Sequence, residues 1–398
     1  MRIAFWGIGK TAEKYINQIK NLSDKFETIV FVDGNQKDDG NVFLWNGYRV
    51  VTPKMLPGLD IDYLCILSIW EWDIRQRIYE EKIFPLSKIV SLHEIWIMDF
   101  FGTDMALCYK NAIKIVHPMQ TETAEMWYVY EYLKRNYSYV LLDTDYWKIQ
   151  GNRKFYFKDN IKPIWILWLQ GFEEAPELVK VCVHSIQSRL EKEEYICLLD
   201  KNTIFDYIDL PDYIIEKWKK GFISNTHFSD LIRVRLLNEY GGIWIDATVY
   251  FTGDKLADFI KNSELFMFNI WGYWRKRKTP AISANWLISA QPKNKMLLVL
   301  EALLNEYWKK EDKIVSYYLF HFLWAMVIER FPDEWDQVEK VLRDPAQLLC
   351  QELACRFDAV RFEHLKKMSD IHKLSYKSIY TEAKENSFWA KICEIEGF

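Results

Sequence analysis

Apolar residues along the 398-residue chain recur at two spacings, and the alternation between them lays out the elements. Short unbroken runs have the length of buried strands: Ile3-Ala4-Phe5, Thr28 to Val32, Tyr63 to Leu67, Lys88 to Val90, Ile164 to Leu169, Tyr195 to Leu199, Ile243-Trp244-Ile245 and Leu265 to Asn269. Between them apolar positions fall three and four apart, as on one face of a helix. Such stretches run from the Gly7 to Ala12 turn to Leu22, from Trp72 to Glu81, from Met119 to Asn136, onward from Pro176, from Asp212 to Lys220, and from Phe228 to the Gly241-Gly242 pair. Past Tyr250 helical spacing dominates, over Met296 to Trp308, Val315 to Arg330 and Trp335 to Leu342. Strands alternating with helices predict an α/β fold. Two domains are expected, residues 1–115 and 116–398, the second with a motif-bearing core over 162–250 and a helix-rich part over 251–398.

The first unit carries Gly7, Gly9 and Ala12 in the pattern G-x-G-x-x-A between a strand and a helix, with Asp33 at the end of the next strand. That is the dinucleotide fingerprint of a Rossmann-like unit, and Gly7, Gly9 and Lys10 form a candidate anion-binding turn at a helix N-terminus. A full dinucleotide domain needs two such halves, and here a polar stretch, GNQKDDGN, follows Asp33 directly. NAD is therefore not expected as a cofactor, and a nucleotide-free scaffold is the alternative to a nucleotide site.

In the second unit the stretch FSDLIRVRLLNEYGGIWIDATVY, residues 228–250, concentrates the candidate chemistry. Asp230 and Arg233 lie one helical turn apart and point to the same side. Gly241-Gly242 stops the helix, because glycine enters a left-handed conformation without steric cost. Ile243-Trp244-Ile245 reads as a buried strand, and Asp246 stands at its exit, where a carboxylate is shielded yet reachable and suits a cation or a sugar hydroxyl. Taken alone, the same residues also fit a surface ion pair beside a core strand. Upstream, Ile164 to Leu169 runs into a Gln170-Gly171 turn and a helix opened by Pro176, the place where α/β folds hold nucleotides.

The 228–250 stretch resembles the central motif of glycosyltransferase family 32 and of the capsular polysaccharide synthesis proteins related to it, S-D-x-x-R followed by G-G-x-x-x-D-x-D. The matching residues are Ser229, Asp230, Arg233, Gly241, Gly242 and Asp246, and Thr248 stands where the family has its second aspartate. The resemblance implies a GT-A-type nucleotide-sugar transferase domain. It implies retaining transfer of a hexose from a UDP-sugar to a growing capsular or surface polysaccharide, with an oligosaccharide or lipid-linked saccharide as acceptor. Asp230, Arg233 and Asp246 would be the catalytic residues. Carried over by position, Trp168, Leu169, Gln170 and Gly171 hold the base, with core packing as the other reading of Trp168. Asn285 and Trp286 in AISANWLISA match an acceptor-side strand, and His321 in YYLFH a motif near the site, though a buried helical histidine is ordinarily core. HKLSYK brings Lys373 and Lys377 toward the donor diphosphate, or is a basic tail end. In the family the second aspartate binds the divalent metal, so Thr248 puts a Mn²⁺ or Mg²⁺ on Asp246 in question. Two other function classes remain open: an NAD-linked sugar oxidoreductase using the first domain, and a non-catalytic scaffold of polysaccharide assembly.

A net charge of −4 argues against a general nucleic-acid partner. Eighteen tryptophans are a surplus of the kind that lines carbohydrate sites or sits at membranes, although most are expected in the core. Around Trp274 an aromatic cluster runs into Arg275-Lys276-Arg277-Lys278, a candidate acceptor or peripheral membrane contact, or a solvated loop. No apolar run reaches membrane-spanning length, and MRIAFWGIGK does not read as a signal peptide. The expectation is a cytoplasmic protein, in peripheral contact with the inner face of the membrane if the basic cluster acts there. Seven scattered cysteines without a C-x-x-C pair predict neither a disulfide frame nor a zinc site.

Overall fold

Strands β1 (Arg2–Trp6), β2 (Glu27–Val32), β4 (Tyr48–Val51), β5 (Tyr63–Ile66) and β6 (Ile89–Val90) run parallel in the order β4-β2-β1-β5-β6, and β3 (Phe43–Trp45) adds an antiparallel edge beside β4. The structure, a computed structural model, describes residues 1–22, 26–35, 43–101, 118–148, 153–158, 161–190, 194–270, 280–376 and 385–398. Because side chains alternate along a strand, β1 sends Ile3 and Phe5 to one face and Ala4 and Trp6 to the other. The first face packs against Ala12, Ile16 and Ile19 of α1 (Lys10–Lys20) and Ile95 and Met98 of α3 (Leu92–Phe101); the second packs against Ile78 of α2 (Glu71–Glu80). Both faces are covered, as a parallel sheet requires. The helix α4 (Pro118–Leu142) belongs to this compact unit, which takes in Met1–Thr144. The β3-β4 hairpin was not expected from the sequence. It turns at Asn46-Gly47, both at positive φ (51° and 88°), the conformation that joins twisted strands through two residues.

In the second unit β8 (Tyr195–Leu199), β7 (Pro163–Leu167) and β9 (Gly242–Ile245) are parallel, and β12 (Ser283–Ala290) and β11 (Leu265–Asn269) follow antiparallel, in the order β11-β12-β9-β7-β8. Val179, Val183 and Ile186 of α5 (Glu177–Leu190) pack against Ile164, Ile166, Ile243 and Ile245. After α6 (Asp212–Lys219), α7 (Asn225–Tyr240) is the central helix, and α8 (Lys295–Lys310), α9 (Leu319–Arg330), α10 (Ala359–Met368) and α11 (Phe388–Glu396) make the helical C-terminal part. The mixed α/β fold with a helix-rich end is as expected. The helix foreseen over Trp335 to Leu342 is shorter, Pro332–Asp336. Beyond it the chain extends along the end of β11 instead: the Asn269 amide donates to the Val341 carbonyl at 2.7 Å, and the Arg343 amide donates to the Asn269 carbonyl at 2.9 Å.

The Gly241-Gly242 stop positions the site. Both glycines have positive φ, 68° and 91°. A Cβ on Gly242 would lie 2.2 Å from the Pro163 carbonyl oxygen, and one on Gly241 would lie 2.6 Å from Cδ of Pro292. Only glycines let α7 end against β7 and re-enter the sheet at once, which brings the first turns of α7 and the exit of β9 to the same end of the sheet.

Candidate active site

Asp246 leaves β9 at that end, its amide fixed by the Trp286 carbonyl at 2.8 Å. Its Oδ1 accepts from Trp244 Nε1 at 2.9 Å and from Arg233 Nη2 at 3.2 Å, and its Oδ2 faces Lys373 Nζ at 3.2 Å. Arg233, on the third turn of α7, also pairs through Nη1 with Asp230 Oδ1 at 3.0 Å and donates to the Asn285 carbonyl at 2.9 Å. Its guanidinium lies 4.9 Å from the Trp244 ring centroid. One cation thus bridges two carboxylates, and the structure brings Asp230, Arg233 and Asp246 together as their spacing suggested.

Burial would push Asp246 up, but Lys373, Arg233 and the Trp244 indole hold its carboxyl below the usual range. Burial pushes Asp230 up to about 6, against the pull of Arg233 and with added repulsion from Asp246. The two acids are therefore held apart in acidity.

Lys373 reaches the site from the far end of the chain because β13 (Ile371–Lys373) pairs antiparallel with β10 (Val249–Phe251), setting Lys373 opposite Val249. The Leu374 amide donates to the Thr248 carbonyl at 2.9 Å, and Lys373 Nζ donates to Thr248 Oγ. Residues from five separate segments, four of them carrying expected site residues, then line one cavity of about 300 Å³. Trp168, Leu169 and Gln170 come from the turn after β7, Ser229 and Arg233 from α7, Asp246 and Thr248 from the exit of β9, and Lys373 from β13. The Trp168 ring meets Tyr376 edge-on at 5.4 Å.

Several lining residues had not been anticipated. Asn225 and Thr226 open α7, so the positive end of a 16-residue helix faces the cavity, and Ser224 caps it by accepting from the His227 amide. The sequence signal was present: Ser224 before an apolar helical pattern is an N-cap. Tyr317, Ser375 and Tyr376 also line the cavity; they fall inside the YYLFH and HKLSYK segments, in which the resemblance points to His321, Lys373 and Lys377 instead.

Other candidates fall elsewhere. Asp230 is buried behind Arg233, bonded by Asn285 Nδ2 at 3.0 Å, and is not among the lining residues; neither is Gly171, whose φ of 90° serves the turn. Trp286 is in the core, stacked on Phe268 at 4.7 Å. His321, on α9, has a buried Nδ1 without a partner, and burial together with Arg233 and Arg343 lowers its pKa to about 4, so the ring is neutral. Trp274 and Lys377 lie outside the described residues.

In the first unit Gly7, at φ 123°, stands where a Cβ would come 2.6 Å from the Leu67 carbonyl oxygen, so the crossing of the β1 and β5 exits demands glycine there. Gly9 precedes α1 with open space around it, Lys10 is exposed on the first turn, and the Asp33 carboxylate accepts from the Asn35 amide at 3.2 Å.

A divalent cation does not fit the cavity as these residues stand. Both oxygens of Asp246 already receive cations, and the neighbouring position 248 offers a neutral hydroxyl. Among the described residues no group of three His, Cys, Asp or Glu side chains is close enough to hold a metal ion. Nor is any described helix long and apolar enough to cross a membrane.

Comparison with known proteins gives two family matches. The model described as "Capsular polysaccharide synthesis protein" matches residues 110–392, and the model described as "C2185-like, N-terminal" matches residues 1–90. A stretch of 94 residues is 31% identical to the O-glycosyltransferase braB of Annulohypoxylon truncatum; it spans 22% of this chain and 22% of that protein. Among solved structures the chain is similar to "PaToxG Glycosyltransferase", with 12% identity, a TM-score of 0.33, and coverage of 60% of this chain and 87% of that one.

Proposed function

The chain belongs to the capsular polysaccharide synthesis protein family, and on that premise we propose that it is a glycosyltransferase whose 300 Å³ cavity holds the donor, a UDP-hexose. The single observation that carries this reading is the convergence of Trp168, Ser229, Arg233, Asp246, Thr248 and Lys373, spread over some two hundred residues, on that one cavity.

Breaking the bond between the anomeric carbon and the phosphate leaves positive charge on the sugar and negative charge on the departing diphosphate. The start of α7 and Lys373 would meet the phosphates, Trp168 and Gln170 the base, and Asp246 the ribose or sugar hydroxyls. Asp230, sealed behind Arg233, acts through it: the pair fixes the guanidinium that orients the sugar. An acceptor hydroxyl attacks the anomeric carbon on the face the diphosphate leaves, its proton passes to the departing phosphate oxygen, and configuration is retained. No enzyme nucleophile is required, and a paired Asp230 is not placed to be one. The acceptor, a saccharide chain free or carried on lipid, would approach beside Asn285 and His321. A lipid-linked acceptor would place the protein in the cytoplasm against the inner face of the membrane. The GT-A-type domain is the second compact unit, which starts at Asp145 instead of residue 116 because the helix Pro118–Leu142 belongs to the first, and the Rossmann-like first unit is a scaffold that needs no NAD.

The test is release of UDP from a panel of UDP-hexoses by purified protein, for wild type and Asp246→Asn. Release that falls at least about 100-fold in the variant agrees with the loss of one transition-state contact. Equal release by both proteins rules the assignment out, and no release or binding by either favours a scaffold.

A further inference from the structure

At the exit of β9 a lysine ammonium stands against both Asp246 and Thr248. Lys373 Nζ lies 3.2 Å from Asp246 Oδ2 and donates to Thr248 Oγ, the two groups standing where the sequence motif has its paired carboxylates. The placement is built into the backbone: β13 pairs with β10 so that Lys373 sits opposite Val249, one residue past Thr248, and the Leu374 amide closes on the Thr248 carbonyl. An aspartate at 248 would give two adjacent acids able to share a divalent ion, whereas threonine gives an acceptor that suits an ammonium. An ammonium has three N–H donors; among the described residues Asp246 and Thr248 take two, which leaves the third for the cavity that Lys373 lines. Oδ1 of Asp246 is held by Arg233 and the Trp244 indole and Oδ2 by Lys373, so an incoming metal would meet a carboxylate with both oxygens already paired.

We propose that Lys373 is a tethered replacement for the divalent metal: its ammonium, held by Asp246 and Thr248, neutralises the donor diphosphate, and the site works without Mn²⁺ or Mg²⁺. This rests on the donor assignment above and adds to it the identity of the cation and the pairing of position 248 with position 373. Lysine at 373 and a neutral hydroxyl at 248 act as a unit; lysine beside two carboxylates, or alanine beside threonine, would each leave the local charge unmatched.

Two measurements on the full chain decide it. Titration of ligand-free protein with Mn²⁺, followed by the spin-resonance signal of the free ion, should show no site tighter than about millimolar for wild type, as expected of a lone carboxylate already paired. UDP calorimetry should give affinities within about twofold in EDTA and in Mn²⁺. Lys373→Ala should weaken UDP by roughly 10- to 100-fold, the range of one charge-assisted contact, and Lys373→Arg should recover most of it. The double variant Thr248→Asp, Lys373→Ala should bind UDP only with Mn²⁺. If wild type binds one Mn²⁺ at micromolar concentration and loses UDP in EDTA, Lys373 is not the cation, and the transferase reading survives. If UDP binds under neither condition, the donor assignment falls and Lys373 has no diphosphate to neutralise. Should Lys373→Ala fail to fold, Lys373→Met, which keeps the apolar stem, takes its place.

Discussion

Replacing Arg233 with methionine removes the guanidinium that holds both the buried Asp230 and the partly exposed Asp246 of the cavity. Arg233 is 5% exposed and makes contacts of 3.0 Å to Asp230, 3.2 Å to Asp246 and 2.9 Å to the Asn285 carbonyl. Methionine fills much of the same volume between Trp244 and Phe320, so the packing loss is small and the electrostatic loss dominates. Asp246 keeps Lys373 and the Trp244 indole, but among the described residues Asp230 keeps only Asn285. Breaking a buried pair from one side costs about 3–5 kcal/mol, because the remaining charge is uncompensated. Urea unfolding followed by tryptophan fluorescence at pH 7 should show a loss of that size. The loss should shrink at pH 5: burial and Asp246 already raise Asp230 to about 6 with Arg233 present, and without it the acid takes up a proton higher still. A raised carboxyl contributes fully to stability below its unfolded pKa, about 3.9, and loses that contribution as pH rises from there through the folded value. Adding Asp230→Asn should restore stability at pH 7 by at least about 1 kcal/mol, a coupling expected only of groups in contact. An Arg233→Met protein within about 1 kcal/mol of wild type at pH 7, or equally destabilised at both pH values, would refute the triad.

Further expectations follow from single residues. Gly242→Ala forces a Cβ to 2.2 Å from the Pro163 carbonyl oxygen at φ 91°, so it should destabilise the fold by about 3 kcal/mol or more, read by the shift of the urea midpoint. Trp168→Ala should weaken UDP by roughly tenfold in calorimetry while leaving inorganic phosphate inhibition unchanged, as loss of base stacking alone would. His372 is fully buried with Nδ1 unpartnered, and burial lowers its pKa to about 4, so the unfolded chain takes up this proton first as pH falls from 6.5. Stability from this group is present above pH 6.5 and declines toward pH 4, by about 3 kcal/mol in total. His321 acts in the same direction and Asp230 in the opposite one, so the readout is the difference in slope between wild type and His372→Gln, which should be shallower.

The α/β order was legible because most strands are unbroken apolar runs and the helices between them keep a 3.6-residue period. The β3-β4 hairpin escaped even though Asn46-Gly47 is a strong turn pair. Phe43 and Leu44 are exposed on an edge strand, so no buried run flagged them, and the polar stretch after Asp33 drew the reading toward a loop. Trp335 to Leu342 has helical spacing, yet pairing with Asn269 at the sheet edge overrides it after Asp336. Within the site, Asp230, Arg233 and Asp246 were legible since their separation is local, one turn of helix and one tight stop. What spacing alone could not reveal is that Asp230 sits behind Arg233, because burial depth depends on Asn285, 55 residues away in sequence. Tyr317 and Tyr376 lie within the quoted YYLFH and HKLSYK segments, but that these two side chains are the ones lining the cavity is settled by long-range packing.

A structure of the protein crystallised with UDP tests the central claim most directly. The diphosphate should lie in the cavity between Asn225 and Thr226 at the start of α7 and the ammonium of Lys373, with the base against Trp168. UDP found beside Gly7, Gly9 and Lys10 in the first unit, or absent from the cavity at saturating concentration, would contradict it.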